Sequence, residues 1–95
     1  MQPAGIGPRS RGTGAMSKEL RSPRHDALRR FLKLERQKAE ISQTELAKRL
    51  RWKQGSISEI ETGIKRVTVL ELVSIAQALD FDPCLALRHI SEIEE

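Results

Sequence analysis

Gln54, Gly55, Ser56 and Glu59 open a short helical pattern and face away from its apolar residues, Ile57 and Ile60. Short polar side chains at a helix start can donate to and accept from base edges, which is the chemistry a major groove requires. Bond-breaking chemistry finds no comparable constellation. Ser56 and Ser58 have no His or Cys arrangement nearby that would make a nucleophile. His25 and His89 lie far apart without ligand spacing, and Cys84 is the only cysteine. An internal disulfide and a cysteine-built metal site are therefore excluded. Neither catalysis, a metal nor a cofactor is expected.

The elements that must present this face are helical throughout. Ser22-Pro23 supplies a cap followed by proline at the first helical position, and Ala27, Leu28, Phe31, Leu32 and Glu35 keep helical spacing to about Lys38. Ser42 and Glu45 have capping-box spacing, with Ile41 and Leu46 placed as a staple, so a second helix starts there and stops near Arg51-Trp52. A third runs from Gln54 to Thr62 and ends at Gly63, a residue suited to the left-handed position. Thr68 with Glu71 and Val67 with Leu72 repeat the box and staple before a fourth helix to about Leu79. Asp82-Pro83 starts a fifth containing Leu85, Leu87 and Ile90. No alternating strand pattern occurs. The expected fold is all-α, five short helices joined by turns of a few residues.

The second and third helices have the dimensions of a helix-turn-helix, spanning residues 42–63. Their tight crossing wants a small residue, and Ala47 supplies it; Ile57 and Ile60 then lock the third helix onto Leu46 and Leu50.

Charge is divided along the chain. Residues 1–53 hold 14 Lys/Arg against 5 Asp/Glu, whereas residues 54–95 hold 3 against 8, within a net charge of +4. A chain so polarised can lay a basic side on a polyanion while its other end meets solvent or a protein. With three aromatic residues, Phe31, Trp52 and Phe81, the core must be built from Leu, Ile, Val and Ala. Residues 1–21, rich in Gly, Pro, Ser and Arg, are expected to be a disordered basic tail, and residues 22–95 the folded domain. Arg9, Arg11, Lys18, Arg21 and Arg24 offer a DNA-binding arm as the less favoured reading of that stretch, and Met16 is a second candidate start. No apolar run approaches the roughly 18–20 residues of a membrane span, and the N-terminus lacks a signal-like stretch, so a cytoplasmic setting is expected.

Ile41-Ser42-Gln43-Thr44-Glu45-Leu46-Ala47 followed by Gln54-Gly55-Ser56-Ile57-Ser58-Glu59-Ile60-Glu61-Thr62-Gly63 closely resembles the XRE family, the Cro and phage-repressor-like helix-turn-helix proteins. The resemblance covers roughly residues 28–90 and implies a lambda-repressor-like DNA-binding domain. It implies that Gln43 holds a phosphate and braces the recognition helix, and that Gln54 reads a base, adenine being the partner glutamine bonds in bidentate fashion. Ser56 and Glu59 match other groove-facing positions; Glu59 is either an acceptor for cytosine N4 or a spacer that repels phosphate. Thr62 and the loop with Lys65 and Arg66 match the stretch that holds the next phosphates, and Lys53 has an ammonium for another. Arg36 and Glu61 match an inter-helix ion pair.

Three positions depart from the pattern. Arg51 stands where glycine is usual in the turn, at a cost of about 1 kcal/mol if left-handed. Gly55 removes one reading side chain, and Lys53 is a poor cap. Trp52 is expected to pack over the turn rather than stack on DNA. The function implied is a transcriptional regulator, a repressor that reads double-stranded DNA with helix 54–62 and pairs as a homodimer on it. Leu85, Leu87, Ile90 and Ile93 serve either that dimer or the monomer core. The alternative is an antitoxin that binds DNA and neutralises a partner toxin.

Overall fold

The N-termini of four helices are set by side chains that satisfy otherwise orphaned backbone N–H groups. The structure, a computed structural model, describes residues 22–95, so the expected tail and the arginines 9, 11 and 21 with Lys18 lie outside the described residues. Ser22 Oγ accepts from the His25 N–H at 3.0 Å, and Pro23 begins α1 (Pro23–Lys38). Ser42 Oγ accepts from the Glu45 N–H at 3.0 Å to start α2 (Gln43–Leu50). That box is only half formed, because the Glu45 carboxylate accepts from Arg49 one turn later at 3.2 Å. After α3 (Ser56–Thr62), Thr68 and Glu71 form the full reciprocal box of α4 (Val69–Leu79). Asp82 caps α5 (Pro83–Ser91) through the Cys84 N–H. Among the described residues there are five helices and no strand, and no helix long and apolar enough to cross a membrane.

Four of the helices end in one way. A residue just past the helix turns left-handed, the C-cap itself in α2, α3 and α4 and the residue after the C-cap, Glu40, in α1. The N–H beyond it reaches back five residues to close the Schellman pattern. Trp52 N donates to Ala47 O at 2.9 Å, Ile64 N to Glu59 O at 3.0 Å, Phe81 N to Ala76 O at 2.9 Å and Ile41 N to Arg36 O at 3.4 Å. Only at Gly63, φ 88°, is the left-handed residue a glycine; Glu40, Arg51 and Asp80 adopt φ of 60°, 62° and 61° with side chains attached.

The core is aliphatic, as the composition demands. Leu46, Ile57, Ile60 and Ile75 are fully buried, with Leu32, Ala47, Leu72, Ala76, Leu79 and Ala86 around them. Burial of each large side chain stabilises by about 1.5–3 kcal/mol. α2 packs against α3 and α4, while α1 lies along α5 and α3. Ala47, 2 % exposed, sits in α2 among these residues, as its small size suggested. Phe31 meets Phe81 edge-on and His89 at a tilt, each at 5.6 Å, which joins α1 to the C-terminal elements.

Exposure separates the apolar residues of the last two helices. In α5 the residue wholly inside is Ala86, while Leu85 and Leu87 flank it and remain exposed, so they do not complete the monomer core. Val73 likewise turns outward on α4, beside exposed Val69 and Leu70. Arg24, offered as part of a DNA-binding arm, lies in α1: its Nε donates to Ile93 O at 2.9 Å and its backbone N to Glu95 Oε2 at 3.1 Å, tying α1 to residues 93 and 95.

Arg51→Gly should relieve about 1–2 kcal/mol of left-handed strain against up to about 1 kcal/mol of added unfolded-chain freedom. Urea unfolding should therefore show a net gain of about 0.5–1 kcal/mol. A drop in stability would mean that the Arg51 side chain contributes packing of its own.

Candidate nucleic-acid interface

The helix that carries the polar face is only seven residues long, too short to hold its own shape in water. It is held from behind by a buried ion pair. Arg36 on α1 donates through Nε to Glu61 Oε2 at 2.7 Å and through Nη2 to Glu61 Oε1 at 3.0 Å, a bidentate pair. The side chains are 11 % and 4 % exposed. Arg36 Nη1 also donates to Ile41 O at 2.8 Å, and Gln43 Nε2 donates to Glu61 Oε1 at 2.9 Å. One carboxylate on α3 thus fixes α1, the α1–α2 turn and the first residue of α2. The bracing contact implied for Gln43 is visible directly in its bond to Glu61 on α3.

A second lock was not anticipated from the sequence. Arg29 Nη1 donates to Glu61 O at 2.9 Å, at the carbonyl end of α3, where a cation also opposes the helix dipole. Asp26 holds the same guanidinium by Nε at 3.0 Å. A methyl group at Gly63 would come within 3.1 Å of Arg29 Nε, so a side chain there would press on this guanidinium in addition to straining the backbone at φ 88°. The only sequence signal was the i, i+3 spacing of Asp26 and Arg29, which reads equally well as a surface pair.

The polar face itself departs from expectation at its start. α3 begins at Ser56, not Gln54. Ser56 N donates to Lys53 O at 3.0 Å, closing a turn over residues 53–56, and Gly55 becomes the N-cap without a side chain to offer. Gln54 and Gly55 therefore project from the turn ahead of the helix, both exposed. Ser56 is half-buried, and Glu59 is exposed one turn on. Gln54 Nε2 approaches Thr44 Oγ1 at 3.5 Å, which sets the first turn of α2 beside the start of α3. Exposed Thr44 is thus a further member of this face; its position next to Gln43 was the available signal.

The phosphate candidates differ in how far they are committed. Lys53 and Arg66 are exposed. Lys65 has its Nζ 3.0 Å from Glu71 Oε2 and 5.8 Å from the Trp52 ring centre. Trp52 packs half-buried against the core, as expected. Thr62 Oγ1 donates to Ser58 O at 2.9 Å, so its proton is used within α3. Burial alone would raise the carboxyl pKa of Glu71, but the Thr68 N–H and the Lys65 ammonium together hold it below the ordinary value.

A helix-turn-helix domain family matches residues 27–88. Among solved structures, an XRE-family like protein from Pseudomonas syringae pv. tomato str. DC3000 is 30 % identical, with a TM-score of 0.70 over 83 % of this chain and 95 % of that one. Comparison with the curated proteins finds no match.

Glu61→Leu leaves Arg36 buried without its counter-charge and should lower stability by about 3–5 kcal/mol in urea unfolding, most of it regained in Arg36→Met/Glu61→Leu. A decrease below about 1 kcal/mol would show the pair to be dispensable. The lowered pKa of Glu71 means that its stabilising contribution is present above the ordinary carboxylate value, about 4.3, and lost as pH falls through the folded value. Thermal melts should therefore show the advantage of the native chain over Glu71→Gln shrinking between about pH 5 and pH 3. An advantage that does not change across that range would contradict the assignment.

Proposed function

The chain belongs to the XRE family of helix-turn-helix proteins, and from that premise we propose that it is a sequence-specific DNA-binding transcriptional regulator that represses by occupying an operator. The observation that carries this reading is a polar edge formed by Gln54 and Gly55 in the turn and by half-buried Ser56 and exposed Glu59 on α3, a helix fixed from behind by the Arg36–Glu61 pair. A probe whose orientation is already fixed loses little entropy on entering a groove.

In this reading α3 enters the major groove. Gln54 meets adenine N6 and N7, Ser56 bonds an adjacent edge, and Glu59 accepts from cytosine N4 where one is available. Gly55 presents backbone alone, so one position of the site is read by shape rather than by a side chain. Gln43, Lys53, Thr62, Lys65 and Arg66 hold phosphates and set the register, with Lys65 exchanging Glu71 for a phosphate oxygen on binding.

One such domain reads half a site. A homodimer places two recognition helices roughly 34 Å apart on one face of the duplex. The exposed flanks of α5 at Leu85 and Leu87, with half-buried Ile90 and Ile93, are the proposed contact between copies. They lie in the acidic half of the chain, which keeps that end away from the polyanion.

Gln54→Ala should relax preference among duplexes by about 1–3 kcal/mol, while Arg66→Ala should weaken all duplexes alike and flatten the salt dependence by about one unit of slope. Titration of the full chain against a duplex selected from a random pool and its point variants measures both. Undiminished discrimination in Gln54→Ala would remove it as a reader.

A further inference from the structure

The exposed cations of α2 stand apart from the residues that read bases or hold phosphates in this account of the interface. Thr44 and Lys48 follow i, i+4 spacing and so share one face of α2, Arg51 stands in the turn that follows at the left-handed C-cap, and all three are exposed. Gln54 touches the first of them, so this face is continuous with the reading residues. Lys53 extends it into the turn. The fourth basic residue of the segment, Arg49, points elsewhere and is tied to Glu45 and to Ala78 O. Among the described residues no ion pair engages Lys48, Arg51 or Lys53.

Two costs attach to this arrangement. Three cations within six residues repel one another without a counter-charge. Arg51 also holds a left-handed backbone that glycine would adopt without strain. The same strain occurs at Glu40 and Asp80, but there the side chains are acidic and belong to turns outside the helix-turn-helix. At Arg51 a cation is kept at the turn that delivers the reading helix.

We infer that Lys48 and Arg51, together with Lys53, grip the phosphodiester backbone of duplex DNA at the leading end of α3. Lys65 and Arg66 follow the trailing end of that helix, and seven residues span about 10 Å along the axis. That length is close to the roughly 12 Å width of a major groove. The two cation sets therefore bracket the groove, one on each bordering strand, and clamp the reading helix between them. The inference rests on the DNA-binding reading above and adds residues to it.

The test is the salt dependence of binding by the full chain to the duplex it selects from a random pool. Removing one cation from its phosphate lowers the slope of log affinity against log salt by about 0.9. Lys48→Ala/Arg51→Gly should therefore lower the slope by about 1.8, with discrimination among point variants of the duplex retained. Arg51→Gly alone should lower it by about 0.9 while its melting temperature rises by a few degrees, which separates a missing phosphate partner from a damaged fold. Arg51→Lys should keep the native slope, and Glu40→Gly should gain stability with no change in slope. An unchanged slope in the double variant, beside a reduced slope in Arg66→Ala, would overturn this inference and leave the DNA reading standing, even if the face then proved to bind a protein. Failure of the native chain to retain any duplex would overturn both.

Discussion

The structure depends on one carboxylate. Glu61 lies on a helix of seven residues that has no side-chain cap at its start and no basic residue in its last turn. Nothing intrinsic to that segment would keep it helical or oriented. Glu61 replaces the missing internal support with three external donors, two from Arg36 and one from Gln43. The bond from Arg36 to Ile41 O carries the same constraint into the turn that precedes α2. A buried pair of this kind is weak as a source of net stability, because the desolvation of both charges offsets most of their attraction. Its physical value is directional: aliphatic contacts of Ile57 and Ile60 tolerate rotation, whereas a bidentate pair does not. Arg29 adds a fixed point at the carbonyl end of the same helix. Helix α3 is thereby held at its rear face and tail, leaving its leading edge free.

Stability and presentation pull against each other at the turn. Left-handed residues with side chains lie in the turns that follow α1, α2 and α4, so the fold accepts strain repeatedly where glycine would relieve it. The turn between α2 and α3 matters most for presentation, since it fixes where Gln54 and Gly55 project. Its closure relies on backbone bonds, Trp52 N to Ala47 O and Ser56 N to Lys53 O, with Trp52 packed beneath. Backbone closure leaves the side chains of the turn available for a ligand.

Much of the fold was legible because its helix starts are written in short local codes. Ser22-Pro23, Thr68 with Glu71 and Asp82-Pro83 each place a boundary that the structure reproduces. The start of α3 was misplaced by two residues for the same reason in reverse: Gly55 has no side chain with which to announce a cap. At Glu45 the code was present, but a competing partner one turn away, Arg49, took the carboxylate. The Arg36–Glu61 pair was legible through family resemblance alone, since residues 25 apart in sequence carry no local signal. The contacts of Arg24 and Arg29 were missed because their partners, residues 93 and 95 and the Glu61 carbonyl, are set by tertiary packing. Leu85 and Leu87 could not be assigned without knowing that Ala86 takes the inward position on α5.

The central claim is that a helix locked from behind offers residues 54–59 as a preformed surface for DNA. Backbone amide NMR of the labelled full chain, titrated with the duplex it selects, tests this most directly. The account predicts shifts concentrated at residues 43–44, 48, 51, 53–59, 62 and 64–66, with the Arg36 and Glu61 signals unmoved, since the lock is already formed in the free protein. Perturbation centred on α5 with a silent α3, or a broad rearrangement around Glu61 on binding, would contradict it.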